Sequence, residues 1–141
     1  MTFTEAEIRF LERQPRGHLS TIGRDGGPQV KPVGFTYSPD TGTIDISGFN
    51  MAASAKYRNV QHQPSVAFVV DEVTEENSME GAHFLEVRGR AETVTGIRPP
   101  DGHLAPEIIR VHPTRVVSFN VDPNEPGFST RDVADASGDG G

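Results

Sequence analysis

Turn-forming residues divide this chain into short segments, and in most of these segments apolar and polar residues alternate. Two turn clusters, at residues 24–27 and 38–42, separate runs with a period of two, which is the pattern of half-buried β-strands. Strands do not alternate with helices along the chain, which argues against a parallel α/β sheet. These features predict a mainly β domain, an antiparallel barrel or sandwich of six or seven strands.

Three of the predicted strands carry features that limit how they can pair. Pro32 lies inside the second strand and is expected at a sheet edge or a bulge, because proline has no N–H to donate to a strand ladder. Pro113 is expected to bend or divide the last strand. The run at residues 66–70 is almost continuously apolar, which predicts a strand covered on both faces or one at a subunit interface. The predicted strands cover residues 18–23, 28–37, 43–48, 65–73, 84–94 and 108–121.

Two short helices accompany the predicted strands. Thr4 and Glu7 have the spacing of a capping box, and the helix that they begin is expected to end at Pro15. Residues 52–63 have a helical composition and are followed by Pro64, which cannot continue a helix. The sequence therefore predicts one helix before the strands and one between the third and fourth strands.

The length of 141 residues fits one domain, assigned to residues 1–128. Residues 129–141 are rich in Gly, Asp, Ser and Ala, and they predict a flexible acidic tail. We therefore expect deletion of residues 129–141 to leave the melting temperature nearly unchanged.

Charge and composition exclude several classes of function. The formal net charge of −7, from 13 basic and 20 acidic residues, argues against a general partner among nucleic acids or anionic membranes. The absence of cysteine excludes disulfides, thiolate zinc sites and a cysteine nucleophile. Neither an apolar run of about 20 residues nor a signal-peptide pattern is present, so a cytoplasmic protein is expected.

Motifs that would supply protein-based catalysis are absent. The chain has no dinucleotide fingerprint, no P-loop and no nucleophile elbow. No two of its histidines have the i, i+4 spacing of metal ligands, and no metal site is predicted; these are His18, His62, His83, His103 and His112. If the protein is an enzyme, a bound cofactor is expected to carry the chemistry, and the catalytic residues stay unassigned.

The first candidate site is the strand segment at residues 29–35. Lys31 lies in an apolar strand beside Pro32, so an ammonium group and open backbone groups could meet a flat ligand there. The alternative is an ordinary edge strand with a protective lysine, a common device against edge-to-edge association.

The second candidate site begins at Ser47 and Gly48, where the third strand ends, and continues into a helix that starts near Ser54. A helix N-terminus presents free N–H groups and a positive dipole end, which suits an anion. Lys56 and Arg58 add formal charge within one turn. The alternative is a solvated helix face.

The two segments together resemble the pyridoxamine 5'-phosphate oxidase-like, FMN-binding split-barrel family. Within it, the chain is most similar to the actinobacterial subgroup that uses the deazaflavin coenzyme F420. The resemblance rests on GGPQVKPVGFTYSPDTGTIDISG, then SAKYRNVQHQPSVAFVVDE, then FLEVRGRAE, with IRVHPTRVVSFNVDP and RDV near the end. It implies a split β-barrel with two short helices that forms a homodimer, with the cofactor at the subunit interface.

The resemblance also implies roles for particular residues. Three consecutive residues of the second strand would line the ring of the cofactor, the end of the third strand would also meet the cofactor, and a Ser-x-Lys element would bind its phosphate. These positions are Lys31, Pro32 and Val33; Ser47 and Gly48; and Ser54 and Lys56, with Arg58 close behind. Flavin-binding oxidases of the family often have Arg where this chain has Ala55, and a partner-subunit Gln near Phe84 that this chain lacks. F420 is therefore favoured over FMN.

The function that the resemblance implies is an F420H2-dependent reductase. Hydride would pass from the deazaflavin to an activated double bond of a planar, enone- or quinone-like small molecule. Water or a nearby side chain would supply the proton, with His18, His62 and Tyr57 as candidate donors that are each more readily explained as structural residues. The alternatives are an FMN-dependent oxidoreductase of the same fold and a non-catalytic protein that binds flavin, deazaflavin or haem.

Overall fold

The computed structural model describes residues 2–97 and 102–134. Within these ranges the chain forms seven strands, two α-helices and two single turns of 3₁₀ helix, at Met51–Ala53 and Met79–Gly81. In chain order the helices and strands are α1 (Glu5–Glu12), β1 (Gly17–Ile22), β2 (Pro28–Ser38), β3 (Thr43–Ser47), α2 (Ala55–His62), β4 (Ser65–Val73), β5 (Ala82–Val94), β6 (Ile108–Phe119) and β7 (Phe128–Asp132).

Six of the strands close into an antiparallel barrel. The strand order is β3-β2-β1-β4-β5-β6-β7, and β3 also pairs with β6, which closes the ring and leaves β7 as an additional strand beside β6. Every strand pair is antiparallel. The predicted mainly β fold, a split barrel with two short helices, is confirmed. No helix in the described part of the chain is long and apolar enough to cross a membrane.

The barrel interior is filled by the residues that point inward from alternating positions. In β4, for example, Val66, Phe68 and Val70 are buried, whereas Ala67 and Val69 are partly exposed on the outer face. The apolar run is therefore not covered on both faces within one chain. The alternative, that the outward residues of β4 lie at an interface with a second subunit, stays a prediction.

The first helix closes one end of the barrel. The predicted capping box is present, because the Thr4 side chain accepts from the Glu7 N–H and the Glu7 carboxylate accepts from the Thr4 N–H. Phe10 and Leu11 of α1 are fully buried against the core. Arg13 donates to the carboxylate of Glu72 at the end of β4, with an Nη2–Oε1 distance of 2.6 Å, and fixes the helix to the sheet.

The second helix covers the opposite end of the barrel. Tyr57 and Val60 pack into the core. The side-chain amide of Asn59 donates to Thr21 Oγ1 at 3.0 Å and to Gln29 Oε1 at 2.9 Å. These two hydrogen bonds join α2 to β1 and β2, so they set the position of the helix N-terminus relative to β2.

Both prolines have the effects that the sequence predicts. The residues of β2 up to Val33 pair with β1, and those from Gly34 onward pair with β3, so Pro32 lies where the β3-facing edge is open. Around Pro113, the β5–β6 register shifts between Arg88 and Gly89. The last predicted strand is thus one bent strand, whose two halves pair with different neighbours, β3 and β7.

The predicted flexible tail is wrong from residue 129 to residue 132, because these residues belong to β7. They pair with the second half of β6, which β3 does not reach. Arg131 Nη2 also donates to the Thr2 carbonyl oxygen at 2.9 Å and to the carboxylate of Glu7. The sequence-based expectation that deletion of residues 129–141 leaves stability unchanged is therefore not supported, because these contacts would be lost. Residues 135–141 of the predicted tail lie outside the described residues.

Candidate functional site

The candidate site lies between the open edge of β2 and the N-terminus of α2. The chain contains only two lysines, and Lys31 comes from β2 while Lys56 comes from the first turn of α2. Lys31 is on the same strand face as Gln29, whose side chain contacts α2 through Asn59. Both lysines therefore point to the same corner of the barrel.

The Lys31 ammonium group is close enough to affect Lys56. The pKa of Lys56 is lowered from the usual lysine value, first by burial of its half-buried side chain and then by the positive charge of Lys31. Among residues 2–97 and 102–134, no carboxylate forms an ion pair with either lysine. The corner therefore carries concentrated positive charge, which an anion would neutralise.

The start of α2 adds hydrogen-bond donors to this corner. Ser54 is the N-cap, and its Oγ accepts from the Tyr57 N–H at 3.3 Å while its hydroxyl donates to the Met51 carbonyl at 2.6 Å. Arg58 Nη1 donates to the Ala53 carbonyl at 2.8 Å, so its guanidinium folds back toward the helix start. Ser54, Lys56 and Arg58 thus all lie in the first turns of α2, and their role in holding a cofactor phosphate stays a prediction.

The residues predicted to line the cofactor ring differ in which face of β2 they occupy. Val33 is only 5% exposed and belongs to the core, so its side chain is not available to a ligand on the outer face. Pro32 is exposed and points outward, and Gly34 follows it on the same face. A Cβ added to Gly34 would meet no heavy atom within 4 Å, so Pro32 and Gly34 leave open space over the strand.

Gly34 is a residue that the sequence analysis did not single out. It pairs with Ser47, the last residue of β3, so the predicted strand end lies directly beside this open space. A glycine inside a strand is a known signal for close approach of a ligand or another backbone. That signal was present in the sequence and could have given Gly34 a role of its own within the candidate segment at residues 29–35.

Gly48 connects the site to the loop between β5 and β6. Its carbonyl oxygen accepts from the Ala105 N–H at 2.9 Å. Phe49, the next residue, is 74% exposed. The described end of this loop and an exposed aromatic ring therefore border the place where β3 ends.

The three candidate proton donors lie in different environments. Tyr57 is 7% exposed and packs in the core. His62 is exposed at the last residue of α2, at the end of the helix away from Lys56. His18 is exposed on β1 and is the register partner of Pro32, so it borders the ring-binding strand.

A cavity of about 420 Å³ lies near the other end of the barrel, between α1 and the connection from β6 to β7. Arg9, Arg13 and His83 contribute to its lining. Arg13 is already paired with Glu72, and the His83 ring is hydrogen-bonded to the Asn120 carbonyl and to Thr74. We place the candidate site at the lysine corner because its charges lack partners among the described residues.

The closed six-stranded antiparallel barrel with two short helices is a split barrel. The sequence profile of the pyridoxamine 5'-phosphate oxidase family matches residues 3–117. The chain belongs to this family.

Individual relatives add detail to the family assignment. The chain is 38% identical over 140 residues to a 5a,11a-dehydrotetracycline/5a,11a-dehydrooxytetracycline reductase from Streptomyces rimosus, covering 98% of each chain. It is 28% identical to a solved F420 reductase, with a TM-score of 0.57 over 77% of this chain and 93% of that one. A conserved hypothetical protein from Mycobacterium tuberculosis has the same fold, at 21% identity and a TM-score of 0.66, with 96% and 94% covered.

Proposed function

We propose that this protein is an F420H2-dependent reductase, which transfers hydride from the deazaflavin to an activated double bond of a planar, enone- or quinone-like small molecule. The observation that carries the proposal is the pair of lysines at one corner of the barrel, Lys31 on β2 and Lys56 in the first turn of α2. Their charges have no acidic partner among the described residues, and the phosphate of a nucleotide-like cofactor would supply one.

The residues of the site fit a phosphate joined to a flat ring. Lys56, with Ser54 and Arg58 beside it, would hold the phosphate at the helix N-terminus. The open strand at Pro32 and Gly34 would accept the ring, because no side chain occupies the space above Gly34. When bound, the reduced deazaflavin supplies a hydride, and the protein contributes position and electrostatics.

Two relatives support an oxidoreductase and this direction of the reaction. The Streptomyces protein, which matches almost the whole chain at 38% identity, is a reductase of a dehydrotetracycline. The solved F420 reductase supports the deazaflavin rather than FMN. A conjugated ring system with a carbonyl group is therefore the substrate class that we propose for this chain.

Titration of the purified protein with coenzyme F420 and with FMN tests the cofactor. We expect quenching of F420 fluorescence with a dissociation constant at least about tenfold below that for FMN, a difference of about 1.4 kcal/mol. A yellow preparation that retains FMN, or tighter binding of FMN, would favour the flavin oxidoreductase instead. Binding of F420 without oxidation of F420H2 by any enone or quinone would favour a non-catalytic carrier.

We also propose that two copies form a homodimer through the outer face of the barrel. Val30 is 62% exposed there, and Val69 and Phe84 lie on the same outer face. A second copy placed against these residues would cover apolar surface and border the ring-binding strand. Sedimentation equilibrium is expected to give about twice the chain mass of 15.3 kDa, and a Val30→Asp variant is expected to shift the protein toward the monomer.

A further inference from the structure

The segment at residues 48–53 joins the two halves of the candidate site. Ser47, which precedes it, pairs with Gly34 on the open strand, and Ser54, which follows it, caps α2. A cofactor with its ring above Gly34 and its phosphate at Ser54 would therefore run alongside this segment. A large side chain that the segment exposes would border the bound molecules.

Phe49 is the large side chain that this segment exposes. It is 74% exposed, whereas Met51, two residues later, is buried in the core. The other exposed residues of the segment are small or polar, namely Asn50, Ala52 and Ala53. Phe49 is thus the aromatic group that the connection from β3 to α2 offers to a ligand.

The backbone on both sides of Phe49 is fixed. The Gly48 carbonyl accepts from the Ala105 N–H at 2.9 Å, and the Met51 carbonyl accepts from the Ser54 N–H at 3.0 Å. Met51 also packs beneath Gly48, because a Cβ added to Gly48 would lie 3.4 Å from Met51 Cε. Since Met51 fills the inward position, the Phe49 ring is held outside the core.

Phe128 offers a comparison, because it is also a strongly exposed phenylalanine, at 72%. Its ring packs against Phe119, with the ring centroids 4.6 Å apart, and against Phe84. Phe49 packs against no other aromatic ring among residues 2–97 and 102–134. Exposure is therefore similar at the two positions, but Phe49 has no ring partner within the described chain.

The position of Phe49 is compatible with the proposed homodimer. Val30, Val69 and Phe84, which we place under the second copy, come from β2, β4 and β5. Phe49 follows β3 and does not belong to that set. A role for Phe49 in ligand binding therefore does not require the subunit interface to be free.

We propose that Phe49 forms an aromatic wall of the substrate pocket and determines specificity for planar fused-ring substrates, an inference that rests on the proposed function. The substrate has to lie against the cofactor ring, which the open strand at Gly34 would carry. Aromatic rings attract one another in offset or edge-to-face arrangements, so a ring at this border would orient a flat substrate. Small-molecule sites commonly use aromatic walls in this way.

The variants Phe49→Ala and Phe128→Ala remove the same group from equally exposed positions. With F420H2, Phe49→Ala is expected to raise KM for 1,4-naphthoquinone about tenfold and KM for the single-ring 2-cyclohexen-1-one less than about threefold. The kcat is expected to stay within about twofold, because the contact forms equally in the ground state and the transition state. Phe49→Tyr, which keeps the ring, is expected to retain the original KM.

The control measurements separate the wall from the cofactor site. Phe128→Ala, and the dissociation constant of Phe49→Ala for F420, are expected to stay within about twofold of the unmodified protein. Equal increases of KM in Phe49→Ala and Phe128→Ala, or an unchanged KM for 1,4-naphthoquinone in Phe49→Ala, would overturn the proposal. Equal increases of KM for both substrates in Phe49→Ala would overturn the specificity for fused rings.

A fluorescence measurement tests the wall without turnover. The chain contains no tryptophan, so Phe49→Trp and Phe128→Trp each introduce a single tryptophan emission. With oxidised F420 present, 1,4-naphthoquinone is expected to quench the emission of Phe49→Trp in a saturable manner and that of Phe128→Trp only linearly, by collision. Linear quenching in both variants would place the substrate elsewhere and overturn the proposal. Failure of the unmodified protein to oxidise F420H2 would instead contradict the proposed function, and quenching measured without F420 would then decide the wall alone.

Discussion

Deletion of residues 129–141 is expected to lower the free energy of unfolding by about 2–4 kcal/mol, because it removes most of β7 and the partner of a buried carboxylate. The Glu7 side chain is only 9% exposed, and Arg131 of β7 donates to it. A hydrogen bond between charged groups contributes about 1.5–3 kcal/mol, and strand pairing adds to this. At this chain length the melting temperature is expected to fall by about 6–12 °C in calorimetry.

A truncation after Ala134 is the matched control, because it keeps β7 and every described contact of Arg131. It is expected to melt close to the full chain, and Arg131→Ala in the full chain is expected to melt between the two. Equal melting temperatures for the two truncations, within about 1 °C, would show that β7 contributes nothing to stability. The deletion also uncovers the second half of β6, so increased association of the shorter chain is expected in light scattering.

The local parts of the fold could be read from the sequence because their causes are local. The capping box depends on two residues three positions apart, and both of its hydrogen bonds form. The period of two in each strand follows from which side chains face the barrel interior. Pro32 at an open edge follows from its missing N–H.

The closure of the barrel and the place of β7 depend on contacts that are distant in sequence. β3 reaches only the first half of β6, at residues such as Val111, and this leaves the second half for another strand. The strand that fills the position, Phe128–Asp132, is mostly exposed and has no clear alternation of burial. Its Gly- and Asp-rich surroundings therefore predicted a tail, although the edge of β6 and the carboxylate of Glu7 both require a partner.

The candidate site was predicted by residue type but not by geometry. A lysine on a strand and a lysine at a helix start each suggest an anion site, yet nothing in their spacing of 25 positions brings them together. The structure does so through Asn59, which fixes α2 to Thr21 and Gln29. Val33 was assigned to the site from the family resemblance, and its inward side chain limits that role to the backbone.

Replacement of Lys56 by methionine is expected to weaken F420 binding by about 10- to 100-fold while leaving the ligand-free protein at least as stable. A charge-assisted contact to phosphate contributes about 1.5–3 kcal/mol, which corresponds to this range. The lowered pKa of Lys56 means that folding disfavours its charged form. Lys56→Met keeps most of the aliphatic stem and removes that charge, so affinity and stability are expected to change in opposite directions.

Fluorescence titration with F420 and a thermal melt of the ligand-free protein measure the two effects. Arg90→Met is the matched control, because Arg90 is an exposed cation on β5 rather than on β2 or α2, and its loss changes the net charge by the same amount. An equal loss of affinity in Arg90→Met would mean that overall charge, rather than the lysine corner, attracts the cofactor. Unchanged affinity in Lys56→Met would remove Lys56 from the site.

The pH dependence of F420 binding is an independent test of the role of Lys56. Lys56 is charged below its lowered pKa, so F420 affinity is expected to fall with rising pH before ordinary lysines lose their charge. Lys31→Met removes the neighbouring positive charge and should raise the pKa of Lys56. This variant is therefore expected to bind F420 more weakly at neutral pH, yet to keep its remaining affinity to a higher pH than the unmodified protein. A fall in affinity at the same pH in both proteins would show that the two lysines do not interact.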